Sequence, residues 1–181
     1  MSRARRRPGG AVHQALIITR DAVMYEFLQE TVANNMTRTV RSVTPETTVS
    51  DLYRLFAADD FDAYPVVRDD RLVGVVSKLD ALKVFTFAKD QILPHYRDGM
   101  GSTVDEIMTS DVVAVEPETN LQRVLQLLVE HRLKSLPVID SWRNLVGMIA
   151  REDVMRAMAR CMQQGEMSPA PRETVQCQRS A

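Results

Sequence analysis

Two stretches of this chain carry the same order of residue types, and this duplication constrains the fold more than any other feature. Residues 36–80 and 108–153 each run from Met-Thr through Pro-Glu-Thr and a Pro-Val pair to a glycine and an aspartate. Six residues of the first stretch recur 72 positions later in the second. In the first stretch they are Met36, Pro45, Glu46, Thr47, Pro65 and Val66. Their counterparts in the second are Met108, Pro117, Glu118, Thr119, Pro137 and Val138. Gly74 and Asp80 recur 73 positions later as Gly147 and Asp153. Such a repeat predicts two copies of one structural unit.

Each copy predicts one amphipathic helix. Apolar residues recur at the spacing of a single helical face. They are Val49, Leu52, Tyr53, Phe56 and Ala57 in the first copy and Leu121, Val124, Leu125, Leu128 and Val129 in the second. Thr119 and Gln122 fit a capping box at the start of the second helix.

Two short runs of β-type residues follow each helix. They are residues 64–67 and 72–76 in the first copy and residues 136–139 and 145–149 in the second. Pro65 and Pro137 fall near the start of a strand, where the missing N–H is tolerated. With the short apolar run that follows each Met-Thr as a first strand, and with Asp80 and Asp153 opening a last helix, each copy predicts the order β-α-β-β-α. Five small elements do not close a core alone, so we expect an α+β fold in which the two copies pack face to face.

This order of motifs, present twice, closely resembles a pair of CBS domains, the arrangement known as a Bateman module. The resemblance covers about residues 31–160 and implies two tandem repeats related by a pseudo-two-fold axis. The predicted division is a disordered basic tail (1–19), an N-terminal helix (20–35), CBS repeat 1 (36–87), a linker (88–103), CBS repeat 2 (104–160) and a second disordered tail (161–181).

The segments outside the repeated motifs give little indication of a functional site. Residues 21–35 suggest a helix with Ala22, Phe27, Leu28 and Val32 facing inward, which extends over the repeats or forms a dimer contact. The linker is expected to prolong the helix begun at Asp80, and then to break at Pro94 and at Gly99–Gly101.

Composition excludes several classes of protein. Hydrophobic residues make up 45% of the chain, charged residues 26%, and the formal net charge is -1, which argues against a protein dominated by binding polyanions. The arginines of residues 3–7 precede no apolar segment of a signal peptide or membrane span. They are interpreted as a solvated tail, with a weak anionic contact as the alternative and nucleic-acid binding as a remote one.

Cysteine and histidine form no pattern of metal ligands. Cys161 and Cys177 lie outside the repeats, and their spacing to the three histidines fits no metal site. No Ser/His/Asp or Cys/His spacing and no glycine-rich phosphate loop occurs in the sequence. The chain is therefore predicted to be a cytoplasmic protein and not an enzyme.

The CBS resemblance implies two symmetry-related clefts for adenosine-type ligands. Each cleft combines the early segment of one repeat with the Ser/Thr-x-x-Asp motif of the other. The aspartate accepts hydrogen bonds from both ribose hydroxyls, backbone groups before the proline read the adenine edge, and a hydroxyl at a helix N-terminus suits a phosphate. We name the clefts after their aspartates, the Asp80 cleft and the Asp153 cleft.

The Asp80 cleft keeps the complete motif. Its predicted residues are Ser77, Lys78, Asp80, Thr109, Asp111, Val113, Leu133, Lys134 and Ser135. Lys78 and Lys134 are candidate phosphate partners.

The Asp153 cleft departs from the family pattern at Ala150, where a hydroxyl is expected. Its predicted residues are Thr37, Thr39, Arg41, Phe61, Asp62, Ala63, Arg151 and Asp153. Arg41 and Arg151 are candidate sources of positive charge in place of the hydroxyl. The sign of the effect of Asp62 on a phosphate stays open.

Each site residue also has a structural interpretation. Taken alone, Asp80 and Asp153 fit acids that interact with a helix dipole, but the duplicated motif favours ribose binding. Ser77 fits a phosphate contact and a helix cap equally well. Phe61 and Leu133 either flank an adenine ring or belong to the core, with the core slightly favoured. The glycines of the motif are expected to permit close approach of the backbone in a strand.

The resemblance implies a regulatory module that binds an adenine nucleotide (AMP, ADP or ATP), with NAD or S-adenosylmethionine less favoured. It also implies a homodimer that transmits a conformational change to an effector protein of unknown identity. The alternative is a ligand-independent dimerisation or scaffold module with vestigial clefts, which Ala150 and the unmatched N-terminal helix favour.

Overall fold

A computed structural model describes residues 24–85 and 96–167. The predicted basic tail, Ala22, Pro94, Cys177 and the predicted disorder of residues 168–181 lie outside the described residues. The described elements, in order, are α1 (24–29), α2 (Val32–Asn35), α3 (Val49–Ala58), β1 (Ala63–Arg68), β2 (Arg71–Ser77), α4 (Lys78–Lys83), α5 (Tyr96–Gly101), α6 (Val104–Ile107), α7 (Leu121–Glu130), β3 (Ser135–Ile139), β4 (Leu145–Ala150) and α8 (Arg151–Met167).

The two repeats contain equivalent antiparallel hairpins, which confirms the predicted α+β class. Strand β1 pairs with β2, and β3 pairs with β4. The register shifts once in each hairpin, after Val66 and after Val138. The predicted first strand of each unit forms only a single parallel bridge, from Val43 to Val66 and from Val115 to Val138.

The short helices α2 and α6 each begin at a hydrogen bond to the opposite repeat. The Val32 N–H at the start of α2 donates to the carbonyl of Thr119 at 2.9 Å. The Val104 N–H at the start of α6 donates to the carbonyl of Thr47, also at 2.9 Å. Both helices therefore begin with a backbone hydrogen bond to the opposite repeat, which satisfies one of the N–H groups that a helix start leaves unpaired.

The core consists of two clusters, and each mixes residues of both halves of the chain. The first contains Val43, Leu52, Tyr64, Val66, Val76, Ala81 and Val104. The second contains Phe27, Val32, Val115, Leu121, Val124, Leu127, Leu128, Leu136, Val138, Ile149, Val154, Ala157 and Cys161. Val104 completes the core of repeat 1, and Phe27 and Val32 complete that of repeat 2, so the two repeats pack as one unit.

The predicted inner face of the second helix is partly wrong. Leu121, Val124 and Leu128 are buried, but Leu125 is 41% exposed and Val129 is 68% exposed, while Leu127 is buried. The face of α7 that packs against the core is therefore rotated about the helix axis from the face predicted by the spacing of the apolar residues. The corresponding Ala57 in α3 is also exposed.

The predicted capping box at Thr119 is wrong. The N-cap of α7 is Asn120, whose side chain accepts from the N–H of Arg123 at 2.9 Å. The hydroxyl of Thr119 instead accepts from the N–H of Glu116 within the preceding turn.

Two predicted helix boundaries also differ from the structure. The N-terminal helix is interrupted at residues 30–31, because the carbonyl of Glu30 accepts from Leu121 and Thr31 bridges to Asn120. Helix α5 continues over Gly99–Gly101, where a break was predicted. Helix α8 continues past Arg160 to Met167 and buries Cys161.

Candidate functional site

A cleft of about 480 Å³ opens between the two repeats at the end of β4, a volume within the range of small-molecule sites. Its lining residues are Thr37, Thr39, Val40, Arg41, Asp60, Phe61, Asp62, Ala63, Pro65, Lys134, Ser135, Met148, Ala150, Glu152 and Asp153. All residues predicted for the Asp153 cleft are among them except Arg151. The structure therefore brings together the two distant stretches that the prediction combined.

The junction of β4 and α8 positions the carboxylate of Asp153. Strand β4 ends at Ala150, and Asp153 is the third residue of α8. Asp153 is only 7% exposed. One carboxylate oxygen accepts from the N–H of Ala150 at 2.9 Å, and the other accepts from Arg156 at 2.9 Å. These bonds hold the acid in one orientation at the wall of the cleft.

The opposite wall is a bridge between the repeats. Thr37 exchanges two backbone hydrogen bonds of 2.9 Å with Met148 of β4, while Val43, six residues later, bonds to β1. The segment between them crosses the cleft, and the side chains of Thr37 and Thr39 are exposed there. An exposed extended segment offers hydroxyls and backbone groups to a ligand.

Phe61 and Arg41 lie at the mouth of the cleft. Phe61 is 43% exposed and makes an edge contact with Tyr64, with ring centroids 5.6 Å apart. Its slightly favoured assignment to the core is therefore wrong. Arg41 pairs with Asp59 at 2.5 Å, and the same carboxylate accepts from the hydroxyl of Tyr64. Asp59 thus offsets the positive charge that Arg41 was expected to supply.

An exposed ion pair in the lining of the cleft joins the two repeats. Lys134 lies 2.8 Å from Asp62, and these residues occupy equivalent positions 72 apart. The hydrogen bond from Lys134 lowers the pKa of Asp62 against the opposing effect of partial burial, and the charges of Lys134, Lys78 and Arg151 lower it further. Asp62 therefore offsets part of the positive charge of these cations.

The acid of the predicted Asp80 cleft has different hydrogen-bond partners from Asp153. The hydroxyl of Ser77 donates to one oxygen of Asp80 at 2.6 Å, and the N–H of Ser77 donates to the same oxygen at 3.0 Å. Lys83 pairs with the other oxygen at 2.8 Å. Burial opposes these effects, yet the hydrogen bonds from Lys83 and Ser77 lower the pKa of Asp80 below its usual value. Ser77 is therefore the N-cap of α4, in a reciprocal capping box with Asp80.

The other residues predicted for the Asp80 cleft lie in several environments. Thr109 exchanges backbone hydrogen bonds with Val75. Leu133 packs against the core of repeat 2, which agrees with its favoured assignment. Val113 lines a second cavity of about 440 Å³ beside α7. Lys78 lies 5.9 Å from the ring centroid of Phe56.

Lys134 and Ser135 line the Asp153 cleft as well, although they were predicted only for the other cleft. A signal was available, because residues 62 and 134 are equivalent in the repeat and positions near a pseudo-two-fold axis face both clefts. Sequence reasoning also missed five lining residues, which are Val40, Asp60, Pro65, Met148 and Glu152.

Within the part of the chain that the structure describes, no three His, Cys, Asp or Glu side chains are grouped so that they could hold a metal ion. Over the same residues, no helix is both long enough and apolar enough to cross a bilayer.

Two equivalent repeats with a ligand-sized cleft between them define a paired-repeat module. The CBS domain family model matches residues 30–86 and again residues 104–160. The chain therefore belongs to the CBS domain family, as the duplicated motif predicted.

The fold is similar to solved CBS pairs. CBSX2 of Arabidopsis thaliana, solved in complex with AMP, is 32% identical with a TM-score of 0.63, and the match covers 72% of this chain and 96% of that chain. The CBS domain pair of protein MJ0100, solved with 5′-methylthioadenosine and S-adenosyl-L-methionine, is 19% identical with a TM-score of 0.57, covering 72% of this chain and 96% of that chain. This second likeness shows the fold alone.

Some relatives are much longer proteins. An inosine-5′-monophosphate dehydrogenase of Thermoplasma acidophilum is 31% identical over 65% of this chain, but the match covers only 21% of the dehydrogenase. The chain also spans less than half the length of two uncharacterised Methanocaldococcus jannaschii proteins, at 48% and 43%.

Proposed function

We propose that this protein is a regulatory module, without catalytic activity, that binds an adenosine-containing ligand between its CBS repeats. The observation that carries the proposal is the 480 Å³ cleft with the buried carboxylate of Asp153 at its wall. Its two oxygens accept from Ala150 and Arg156, and because an ionised carboxylate has about four acceptor sites it can accept further hydrogen bonds from a ligand. Ribose hydroxyls are donors of the required kind, and the AMP complex of CBSX2, 32% identical to this chain, supports an adenosine ligand.

AMP, ADP and ATP are the leading candidates, and NAD and S-adenosylmethionine are the others. The ligand contacts both repeats, so it favours the arrangement in which they are correctly spaced for binding. A ligand shifts such an equilibrium only by its difference in affinity for the two arrangements. The effector protein would read that difference.

The test is calorimetric titration of the purified protein with these five ligands. We expect at least one ligand to bind with micromolar affinity and Asp153→Asn to weaken binding about tenfold or more, because the amide replaces a hydrogen-bond acceptor by a donor. Asp80→Asn is the matched variant in the other cleft. Glu118→Gln, at an exposed position outside the cleft, is the control. Absence of binding by all five ligands to folded protein would rule the proposal out.

A second candidate function is a ligand-independent scaffold, and exposed apolar side chains favour it. Leu82 of α4 and Met155 of α8 occupy equivalent positions, and they are 55% and 73% exposed. This pattern also supports the predicted homodimer, because apolar helix faces are buried in dimer interfaces. The titration described above distinguishes the two functions, because only a ligand-independent scaffold would bind none of the five ligands.

The cytoplasmic location remains a proposal, as does the absence of membrane and nucleic-acid partners. The relative CBSX2 is chloroplastic. Fractionation of cells that express the full chain would test the location.

A further inference from the structure

The two clefts differ in charge at equivalent positions of the repeat. Two pairs of residues, 72 or 73 positions apart, carry most of the difference. They are Asp60 with Arg132, and Glu152 with Leu79. In each pair, the residue beside the Asp153 cleft favours a bound anion less than the equivalent residue beside the Asp80 cleft does.

The Asp153 cleft has more negative than positive groups in its wall. Its lining contains the carboxylates of Asp60, Asp62, Glu152 and Asp153, but only two cations, Arg41 and Lys134. Asp62 pairs with Lys134, Asp153 pairs with Arg156 from outside the lining, and Asp59 pairs with Arg41. Asp60 and Glu152 are exposed, and no side chain of the described residues pairs with either. They therefore act on any ligand that enters.

The remaining charges do not reverse this difference. Lys78 and Arg151, which both act on Asp62, are equivalent to each other in the repeat, so they do not distinguish the clefts. Arg41 corresponds to Val113, and Thr39 corresponds to Asp111, so these two pairs by themselves favour an anion in the Asp153 cleft. They amount to a difference of two charges, against three from Asp60 with Arg132 (two) and Glu152 with Leu79 (one). The pairing of Arg41 with Asp59 reduces their effect further.

We propose that the Asp153 cleft selects an adenosine-type ligand whose tail carries no net negative charge, such as a thioether or sulfonium tail. The inference rests on the proposed function and narrows the ligand class of one cleft. A phosphate there would approach the carboxylates of Asp60 and Glu152, and Ala150 offers it no hydroxyl. A cationic tail is attracted by the same two carboxylates. Nucleotides are left to the Asp80 cleft, where Arg132 and Leu79 stand at the positions equivalent to Asp60 and Glu152.

The experiment titrates the Asp80→Asn variant, in which the Asp153 cleft is intact, with adenosine, AMP and S-adenosylmethionine. We expect AMP to bind about tenfold or more weakly than S-adenosylmethionine, and raising the salt concentration to reduce this difference by screening. The additional pair Asp60→Asn and Glu152→Gln should reduce the ratio about five- to tenfold. Glu118→Gln, outside the cleft, should leave it unchanged. Both acids are exposed, so melting curves should show that these variants fold normally.

The outcomes separate this inference from the proposed function. If AMP binds the Asp80→Asn protein as tightly as S-adenosylmethionine, or if removing the two acids leaves the ratio unchanged, the inference is wrong and the function stands. The same holds if ligands bind the unmodified protein but not the Asp80→Asn protein. If no ligand binds the unmodified protein, both fail together.

Discussion

At the scale of single residues, two glycines set the distance between the repeats. A Cβ atom on Gly147 would lie 2.7 Å from the sulfur of Met36 and 3.0 Å from the carbonyl oxygen of Thr37. A Cβ atom on Gly74 would lie 2.5 Å from the sulfur of Met108. The Met and Gly of the repeated motif therefore recur together because each methionine packs on the glycine of the opposite repeat.

Gly147→Ala is expected to lower the free energy of unfolding by about 1–3 kcal/mol, the usual effect of overpacking. Part of the clash is with backbone at Thr37, which cannot move aside as a flexible side chain can. Urea denaturation would measure the change. The control is Gly101→Ala, because no atom lies within 4 Å of that Cβ position. Equal effects of the two substitutions would contradict the close-packing argument.

The raised pKa of Tyr64 is expected to cause a loss of stability at alkaline pH. Burial and the hydrogen bond to Asp59 raise the pKa of Tyr64 to about 12. The pKa in the unfolded chain is about 10, so the folded state retains the proton over a range in which the unfolded state has lost it. The stability contributed by the neutral phenol is complete below pH about 10 and is lost as the pH rises towards 12.

Urea midpoints measured between pH 8 and 11.5 would test this prediction. Tyr64→Phe should show a shallower fall above pH 10 than the unmodified protein, since it has no phenol to ionise. An identical pH dependence of the two proteins would show that other groups cause the alkaline loss.

At the scale of elements, the exchange of α2 and α6 makes each repeat depend on the other. Val104 is fully buried in the core of repeat 1, and Val32 is fully buried in the core of repeat 2. Each comes from the chain segment that precedes the opposite repeat. A repeat cut at the linker therefore loses part of its own core.

A fragment of residues 24–95 is expected to be unfolded, whereas the full chain should unfold in one transition. In the full chain, Val104→Ala should lower the free energy of unfolding by about 1.5–3 kcal/mol, the value of a buried valine side chain. Met162→Ala, at an exposed site of α8, should have little effect. Circular dichroism melting would measure all three. A cooperative transition in the isolated fragment would show that repeat 1 folds without α6.

At the scale of the whole molecule, exposed apolar side chains indicate an association surface. Leu82 and Met155 are exposed at equivalent positions of α4 and α8, and Val129 is exposed on α7. A buried leucine side chain is stabilised by about 1.5–3 kcal/mol relative to an exposed one. A second copy of the chain can cover this surface.

Sedimentation is therefore expected to give twice the chain mass of 20.5 kDa. Leu82→Glu combined with Met155→Glu should shift the protein to monomer, because charges would be buried without partners. Trp142→Ser, at an exposed turn position, should leave the dimer intact. A monomeric unmodified protein at micromolar concentration would refute the dimer.

Much of the fold and part of the candidate site could be predicted from the sequence alone. The duplicated motif predicted both hairpins and both principal helices, and the resemblance to CBS domains implied the joint placement of Thr37, Asp62 and Asp153 at one cleft. These predictions succeeded because strand alternation, turn residues and helical spacing are local properties, and because a repeat implies symmetry.

The tertiary structure decided the features that depend on residues far apart in the chain. Only through-space packing shows that Lys134 pairs with Asp62 and that the inner face of α7 includes Leu127 rather than Leu125. The sequence left Ser77 open between a cap and a phosphate contact, and the bond to Asp80 settles its role in the free protein. Periodicity describes one element at a time, whereas these contacts are set by the relative position of two repeats.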